Sequence, residues 1–124
     1  MTMSIDTALK EMMSVEGALG AALVDYGSGM SLGEVCVSKD LDLTVAAAGN
    51  TEVVRAKMRT MEMLRMNDAI EDILITLGRQ YHLIRPLTSR AGAGLFLYLA
   101  LEKSRSNLAL ARHQIRTVSE NIEL

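Results

Sequence analysis

The order of its amphipathic and apolar segments is the feature that most constrains how this chain can fold. From the N-terminus, the sequence predicts an amphipathic helix, two short strands, a long helix, three apolar strands and a final amphipathic helix. This α-β-β-α-β-β-β-α order predicts an α+β domain with a five-stranded, mostly antiparallel sheet and helices on both of its faces. The 124 residues contain one Pro and no linker-like stretch, so we expect a single domain over residues 1–124.

Apolar periodicity and capping residues place the three helices. In each of them, apolar residues recur at intervals of three and four. The candidate N-caps are Ser4 for the first helix, Asp40 or Asp42 for the long helix, and Ser104 or Ser106 for the last helix. The long helix is predicted to run to about Met66, before a polar break.

Turn residues divide the predicted strands into two hairpins, over residues 18–38 and 70–87. The last strand, Leu95 to Leu101, is apolar on both faces and is therefore predicted to lie in the centre of the sheet. Both faces of the sheet then need a cover. We expect the two terminal helices on one face and the long helix on the other.

Charge and composition argue against several classes of function. The net charge of −2 supplies no basic field for nucleic acid or for an anionic membrane. No apolar run approaches the roughly 20 residues of a membrane span. Residues 1–10 lack the apolar core of a signal peptide, and the single Cys36 fits a reducing compartment. A cytoplasmic protein that binds neither nucleic acid nor membrane is expected.

The residue types needed for catalysis or metal binding do not occur at useful spacings. His82 and His113 have no Cys or His at ligand spacing. Asp68, Glu71 and Asp72 match no cation-binding loop and are better explained as capping residues or as charges that discourage unwanted strand pairing. No nucleophile motif is present. We therefore predict a protein without a cofactor that is not an enzyme.

Methionines are concentrated on the long helix. They are Met58, Met61, Met63 and Met66. Packing in the core and between subunits is the simpler interpretation. A face that binds a partner is the alternative, because Met adapts to irregular surfaces.

Three stretches of the chain resemble the roadblock/dynein light chain (Roadblock/LC7) family. They are "VEGALGAALVDYGSGMSLG", "ILITLGRQYHLIRPL" and "GLFLYLALEKSRSNLALARHQI". The resemblance extends over nearly the whole chain and is to bacterial stand-alone members. It implies a roadblock/profilin-like fold and a homodimer or heterodimer. In such dimers, the strand after the long helix pairs with its equivalent and the two long helices form a platform.

Mapped onto this chain, the resemblance implies two surfaces. The predicted dimer interface comprises Ile70, Glu71, Asp72, Ile73, Leu74 and Ile75, with Val54, Met58 and Met61 of the long helix. The predicted partner-binding face comprises Arg55, Arg59, Met63 and Arg65. The physics of the sequence agrees, because an exposed apolar edge strand favours pairing with another chain.

The function implied by the resemblance is that of a non-catalytic, homodimeric scaffold or regulator of a small Ras-like GTPase or an associated signalling complex. A small-molecule sensor domain is the alternative, although sensor pockets usually contain aromatic residues and the aromatic content is 3%. A third hypothesis is that Arg85 or Arg90 serves as an arginine finger supplied to a GTPase.

Overall fold

Three helices and five strands follow one another in the predicted order within residues 2–124, which a computed structural model describes. The elements are α1 (Ile5–Met13), β1 (Ala18–Asp25), β2 (Met30–Cys36), α2 (Leu43–Met63), β3 (Ile73–Thr76), β4 (Gln80–Pro86), β5 (Leu95–Glu102) and α3 (Leu108–Asn121). A short 3-10 turn, Lys103–Arg105, joins β5 to α3.

The sheet has the strand order β2-β1-β5-β4-β3, and every neighbouring pair is antiparallel. The apolar strand β5 lies in the centre, as its sequence predicted, and residues 96–101 are buried. The predicted α+β fold class is therefore confirmed. Strands β2 and β3 form the two edges of the sheet.

The two faces of the sheet have separate cores, because alternate residues of a strand point to opposite faces. Leu97 and Leu99 of β5 pack with α1 and α3, whereas Phe96 and Tyr98 pack with α2. The terminal helices thus share one face and the long helix covers the other, as expected. No residue of α2 after Val54 is buried, although the helix continues to Met63. The second half of α2 therefore covers its face of the sheet incompletely.

Strand β3 is shorter than its sequence suggested. The prediction of a strand from Ile70 to Leu77 is wrong at both ends, because β3 comprises only Ile73–Thr76. Residues 70–72 precede the strand as irregular chain. Side chains of α3 bind this segment, as described below.

Two helix boundaries also differ from the predictions: α2 ends at Met63 rather than at about Met66, and α3 has a different N-cap. Helix α3 is capped by Asn107, whose side chain accepts a hydrogen bond from the backbone N–H of Leu110, rather than by Ser104 or Ser106. Those two serines lie in or beside the 3-10 turn that follows β5. The predicted cap Ser4 is confirmed for α1, and of the two candidates for α2, Asp40 and Asp42, the cap is Asp42.

Candidate interaction surfaces

The free edge of β3 presents unpaired backbone groups. The N–H of Leu77 donates to the carbonyl of Gln80 at 2.8 Å, which closes the β3–β4 hairpin. Hydrogen-bonded and non-hydrogen-bonded pairs alternate along an antiparallel ladder. Ile73 and Ile75 therefore bond to β4, and the backbone groups of Leu74 and Thr76 point away from the sheet.

The side chains of β3 continue both cores towards this edge. Ile73 and Ile75 are half-buried against the α2 side, and Leu74 is half-buried against the α1–α3 side. Three predicted dimer residues therefore lie on a free strand. The apolar content of the strand would favour covering it with another element.

Arginines of α3 hold the irregular segment that leads into β3. The guanidinium of Arg112 donates two hydrogen bonds, both 3.1 Å, to the two carboxylate oxygens of Asp72. Arg116 bonds the Glu71 carboxylate at 2.7 Å. The predicted interface residues Glu71 and Asp72 therefore anchor the start of β3 to the helix beneath it.

Arg85 is part of the same arrangement. Its Nε donates to Ser119 Oγ at 2.8 Å, and its Nη1 donates to the carbonyl of Glu71 at 3.2 Å. These contacts hold the guanidinium against its own domain, so Arg85 is poorly placed to reach another protein. Arg90 lies exposed in the loop between β4 and β5.

A groove of about 430 Å³ separates the second half of α2 from the segment before β3. Val53, Lys57 and Met61 line it from the helix, and Ile70 and Ile73 line it from the other side. We call it the α2 groove. It brings together Met61, Ile70 and Ile73, which the family resemblance assigned to one interface.

The predicted residues of α2 range from fully buried to exposed. Val54 is fully buried in the core under α2, so in this subunit it supports the helix rather than forming a surface. Met58 and Met61 are half-buried. The predicted partner-binding residues Arg55, Arg59, Met63 and Arg65 are all exposed.

The C-terminus of α2 is an exposed apolar corner with an unusual backbone. Met63 is 72% exposed, and Leu64 and Met66 are exposed beside it. The N–H of Arg65 donates to Glu62 O and that of Met66 donates to Met61 O, which is the hydrogen-bond pattern of a Schellman cap. Arg65 has φ of 55° at the position where such caps usually place Gly.

Three hydrogen-bonded polar side chains lie on the α2 side of the sheet. The Tyr98 hydroxyl lies 3.2 Å from His82 Nδ1, and His82 Nε2 lies 2.8 Å from Gln80 Oε1. A neutral imidazole satisfies both contacts when Nε2 carries the proton and Nδ1 accepts from the hydroxyl. Burial lowers the pKa of His82 below its ordinary value of 6.5 and raises the pKa of Tyr98 to about 12. These three side chains form a structural network of neutral groups.

Sequence reasoning missed a second exposed surface, the outer edge of β2. Met30 is 67% exposed and Leu32 is 51% exposed, and neither Lys nor Pro occurs in the strand. The absence of those residues from an apolar edge strand was the available signal. The hairpin pattern of residues 18–38 indicates the paired side of β2 and carries no information about its other side.

Neither a metal centre nor a membrane-crossing helix is found in the described part of the chain. Within residues 2–124, no group of three or more His, Cys, Asp or Glu side chains is arranged to hold a metal ion. None of the helices over the same residues is both long and apolar enough to cross a membrane.

Solved structures share this architecture at low sequence identity. Myxococcus xanthus MglB has a TM-score of 0.78 and 17% identity, covering 92% of this chain and 80% of that one. A Roadblock/LC7 domain from Streptomyces avermitilis has a TM-score of 0.78 and 12% identity, covering 95% and 93%. MglC from Myxococcus xanthus has a TM-score of 0.61 and 22% identity, covering 95% of each chain. No protein-family model and no curated protein matches the sequence.

Proposed function

We propose that this chain, which has the Roadblock/LC7-like fold of these structures, is a non-catalytic, homodimeric scaffold or regulator of a small Ras-like GTPase or an associated signalling complex. One observation carries the proposal: the free edge of β3 and the α2 groove form one continuous, incompletely covered apolar surface. The GTPase as partner comes from the family resemblance and from likeness of fold, which is an argument by analogy.

The dimer would form by antiparallel pairing of two β3 strands. The outward backbone groups of Leu74 and Thr76 would bond to those of the second subunit. Pairing about a two-fold axis closes the assembly and leaves no β3 edge free. The sheets of the two subunits would then be continuous.

Strand pairing alone would not bury enough surface. Stable interfaces bury about 1,200–2,000 Å² in total, and β3 has only four residues. The α2 groove must therefore contribute, with Met61 and Ile70 of each subunit packing against the other. Val54 would act indirectly, by holding α2 in place.

The exposed side of α2 would bind the GTPase. Arg55, Arg59 and Arg65 are exposed near the apolar corner at Met63. Arg and Met are both enriched at protein interfaces. A partner with acidic residues around an apolar centre would complement this face.

The test is a titration of the small Ras-like GTPase of the same organism, loaded with GDP or with a non-hydrolysable GTP analogue, into the purified protein. We expect saturable binding by calorimetry that depends on the bound nucleotide. Arg59→Glu should weaken the complex by roughly tenfold or more, because it reverses a charge on the proposed face. Lys10→Glu, on the opposite face of the sheet, is the matched control and should leave the affinity unchanged.

Two results would count against the proposal. One is the absence of binding in both nucleotide states at protein concentrations around 100 μM, well above the micromolar range of transient complexes. The other is equal weakening by Arg59→Glu and Lys10→Glu, which would indicate a non-specific charge effect.

A further inference from the structure

We infer that the outer edge of β2 binds an extended segment of another protein, with alternating apolar residues and a Lys or Arg opposite Glu34, by adding it to the sheet as a sixth strand. The inference does not depend on the proposed GTPase or on the β3 dimer. It concerns the other edge of the sheet, which pairing through β3 would leave open.

Backbone geometry shows which groups of β2 are free. The N–H of Val37 donates to the carbonyl of Leu19 at 2.9 Å, so these two residues form a hydrogen-bonded pair with β1. The alternation of the ladder then directs the backbone groups of Val35 inward and those of Glu34 and Cys36 outward. Each of the two outward residues offers one donor and one acceptor, as strand addition requires.

A groove runs beside these free groups. Its volume is about 420 Å³, and it lies between β2 and the first half of α2. Met30, Leu32 and Glu34 line it from the strand, and Thr44 and Ala48 line it from the helix. We call it the β2 groove. The small residues on α2 leave space for the side chains of an added strand.

A bulge defines where pairing can occur. The register between β1 and β2 shifts between Leu23 and Val24, which leaves Leu32 as an extra residue in β2. A bulge interrupts regular pairing and bends the strand. The usable edge is therefore residues 33–37, and Leu32 and Met30 remain available as apolar contacts beyond it.

The carboxylate of Glu34 determines which kind of segment the β2 edge favours. Glu34 is the only charged residue of β2, it is exposed, and it forms no ion pair within residues 2–124. It shares the α2 side of the sheet with Ala22, its partner on β1. A second copy paired through a two-fold axis at Glu34 would place two carboxylates opposite each other, which is destabilising. A cationic residue of a different protein opposite Glu34 is favourable instead.

The test uses a defined probe, an acetylated and amidated peptide of alternating Val and Thr with one central Lys. Titration into the ¹⁵N-labelled full chain should perturb the amides of residues 30–37 and of the first half of α2, with saturation. The Glu34→Lys variant should bind this peptide about tenfold more weakly than the wild-type protein does. A second peptide with Glu in place of the central Lys should bind the variant with the original affinity. This charge exchange separates recognition from a loss of folding.

Backbone methylation of the peptide tests strand addition directly. Two peptides are made, each N-methylated on one of the two alternating sets of residues. Methylation on the edge that faces β2 removes its donors, so one peptide should lose binding and the other should keep it. Cys36→Pro, which removes an outward N–H, should abolish binding, whereas Cys36→Val should not.

Three outcomes would overturn the inference. They are perturbations confined to residues 73–86, equal binding of both methylated peptides, and the absence of saturable shifts up to roughly millimolar peptide, the weakest affinity worth assigning to a site.

Discussion

At the scale of single residues, Arg65 combines an unfavourable backbone with an exposed side chain. A non-Gly residue in the left-handed region costs roughly 1–2 kcal/mol, and Gly would avoid that cost. Within residues 2–124, the Arg65 guanidinium forms no ion pair that would explain why Arg rather than Gly occupies this position. A strained residue at a candidate interface is consistent with a role in binding.

We expect Arg65→Gly to raise the free energy of unfolding by up to about 1 kcal/mol, since the relief of strain is partly offset by the greater freedom of Gly in the unfolded chain. Urea denaturation measures the change. Arg65→Ala is the matched control, because it removes the guanidinium but keeps the strained φ, and it should bring no gain. Equal stabilities of the two variants would contradict the strain argument.

His82 should make stability depend on pH. Its pKa is lowered in the folded protein by burial, so the unfolded chain binds a proton more readily. The stabilising contribution is complete above the ordinary value of 6.5 and is lost as the pH falls below it towards the folded pKa. Unfolding free energies at neutral and mildly acidic pH should therefore differ less in His82→Gln than in the wild type.

The exposed His113 supplies the control for that experiment. His113→Gln should retain the full pH dependence of the wild-type protein. If both substitutions reduced the slope to the same extent, the effect could not be attributed to the burial of His82.

At the scale of elements, α3 determines where β3 begins. Arg112 and Asp72 are 40 residues apart in sequence and form a bidentate pair, and the Asp72 side chain is only 10% exposed. Removing the arginine would leave a mostly buried carboxylate without its donors, which is more costly than losing an exposed pair.

We expect Arg112→Ala to lower the free energy of unfolding by about 1–3 kcal/mol. Arg105→Ala, which breaks an exposed pair with Glu102, should cost less than about 0.5 kcal/mol. Hydrogen exchange should also show faster opening of residues 70–76 in the Arg112 variant. Equal costs for the two variants would refute the anchoring role.

At the scale of the whole molecule, the uncovered apolar surface should be removed from water by association. The proposed dimer makes the melting temperature depend on protein concentration, because association stabilises the folded state by mass action. Sedimentation at micromolar concentration should show the mass of two chains.

Thr76→Pro should convert the dimer to a monomer. Thr76 is exposed and its N–H points away from β4, so Pro removes a donor from the proposed interface without breaking the hairpin. Thr76→Val keeps the donor and should remain dimeric. A folded wild-type monomer at these concentrations, or a dimer that persists in both variants, would exclude pairing through β3.

The sequence alone determined the order of the elements, the antiparallel hairpins, the central position of β5 and the cap Ser4. Each of these depends on residues close together in the chain, through periodicity, turn chemistry or capping. The resemblance extended this to the correct Roadblock/LC7-like fold.

Only the tertiary structure decided which parts of those elements are surfaces. The start of β3 depends on arginines of α3, the burial of Val54 depends on how α2 lies across the sheet, and the outward groups of β2 depend on its register with β1. These properties arise from contacts between residues distant in sequence, and local patterns carry no information about them. The candidate interaction surfaces consist of what those contacts leave uncovered.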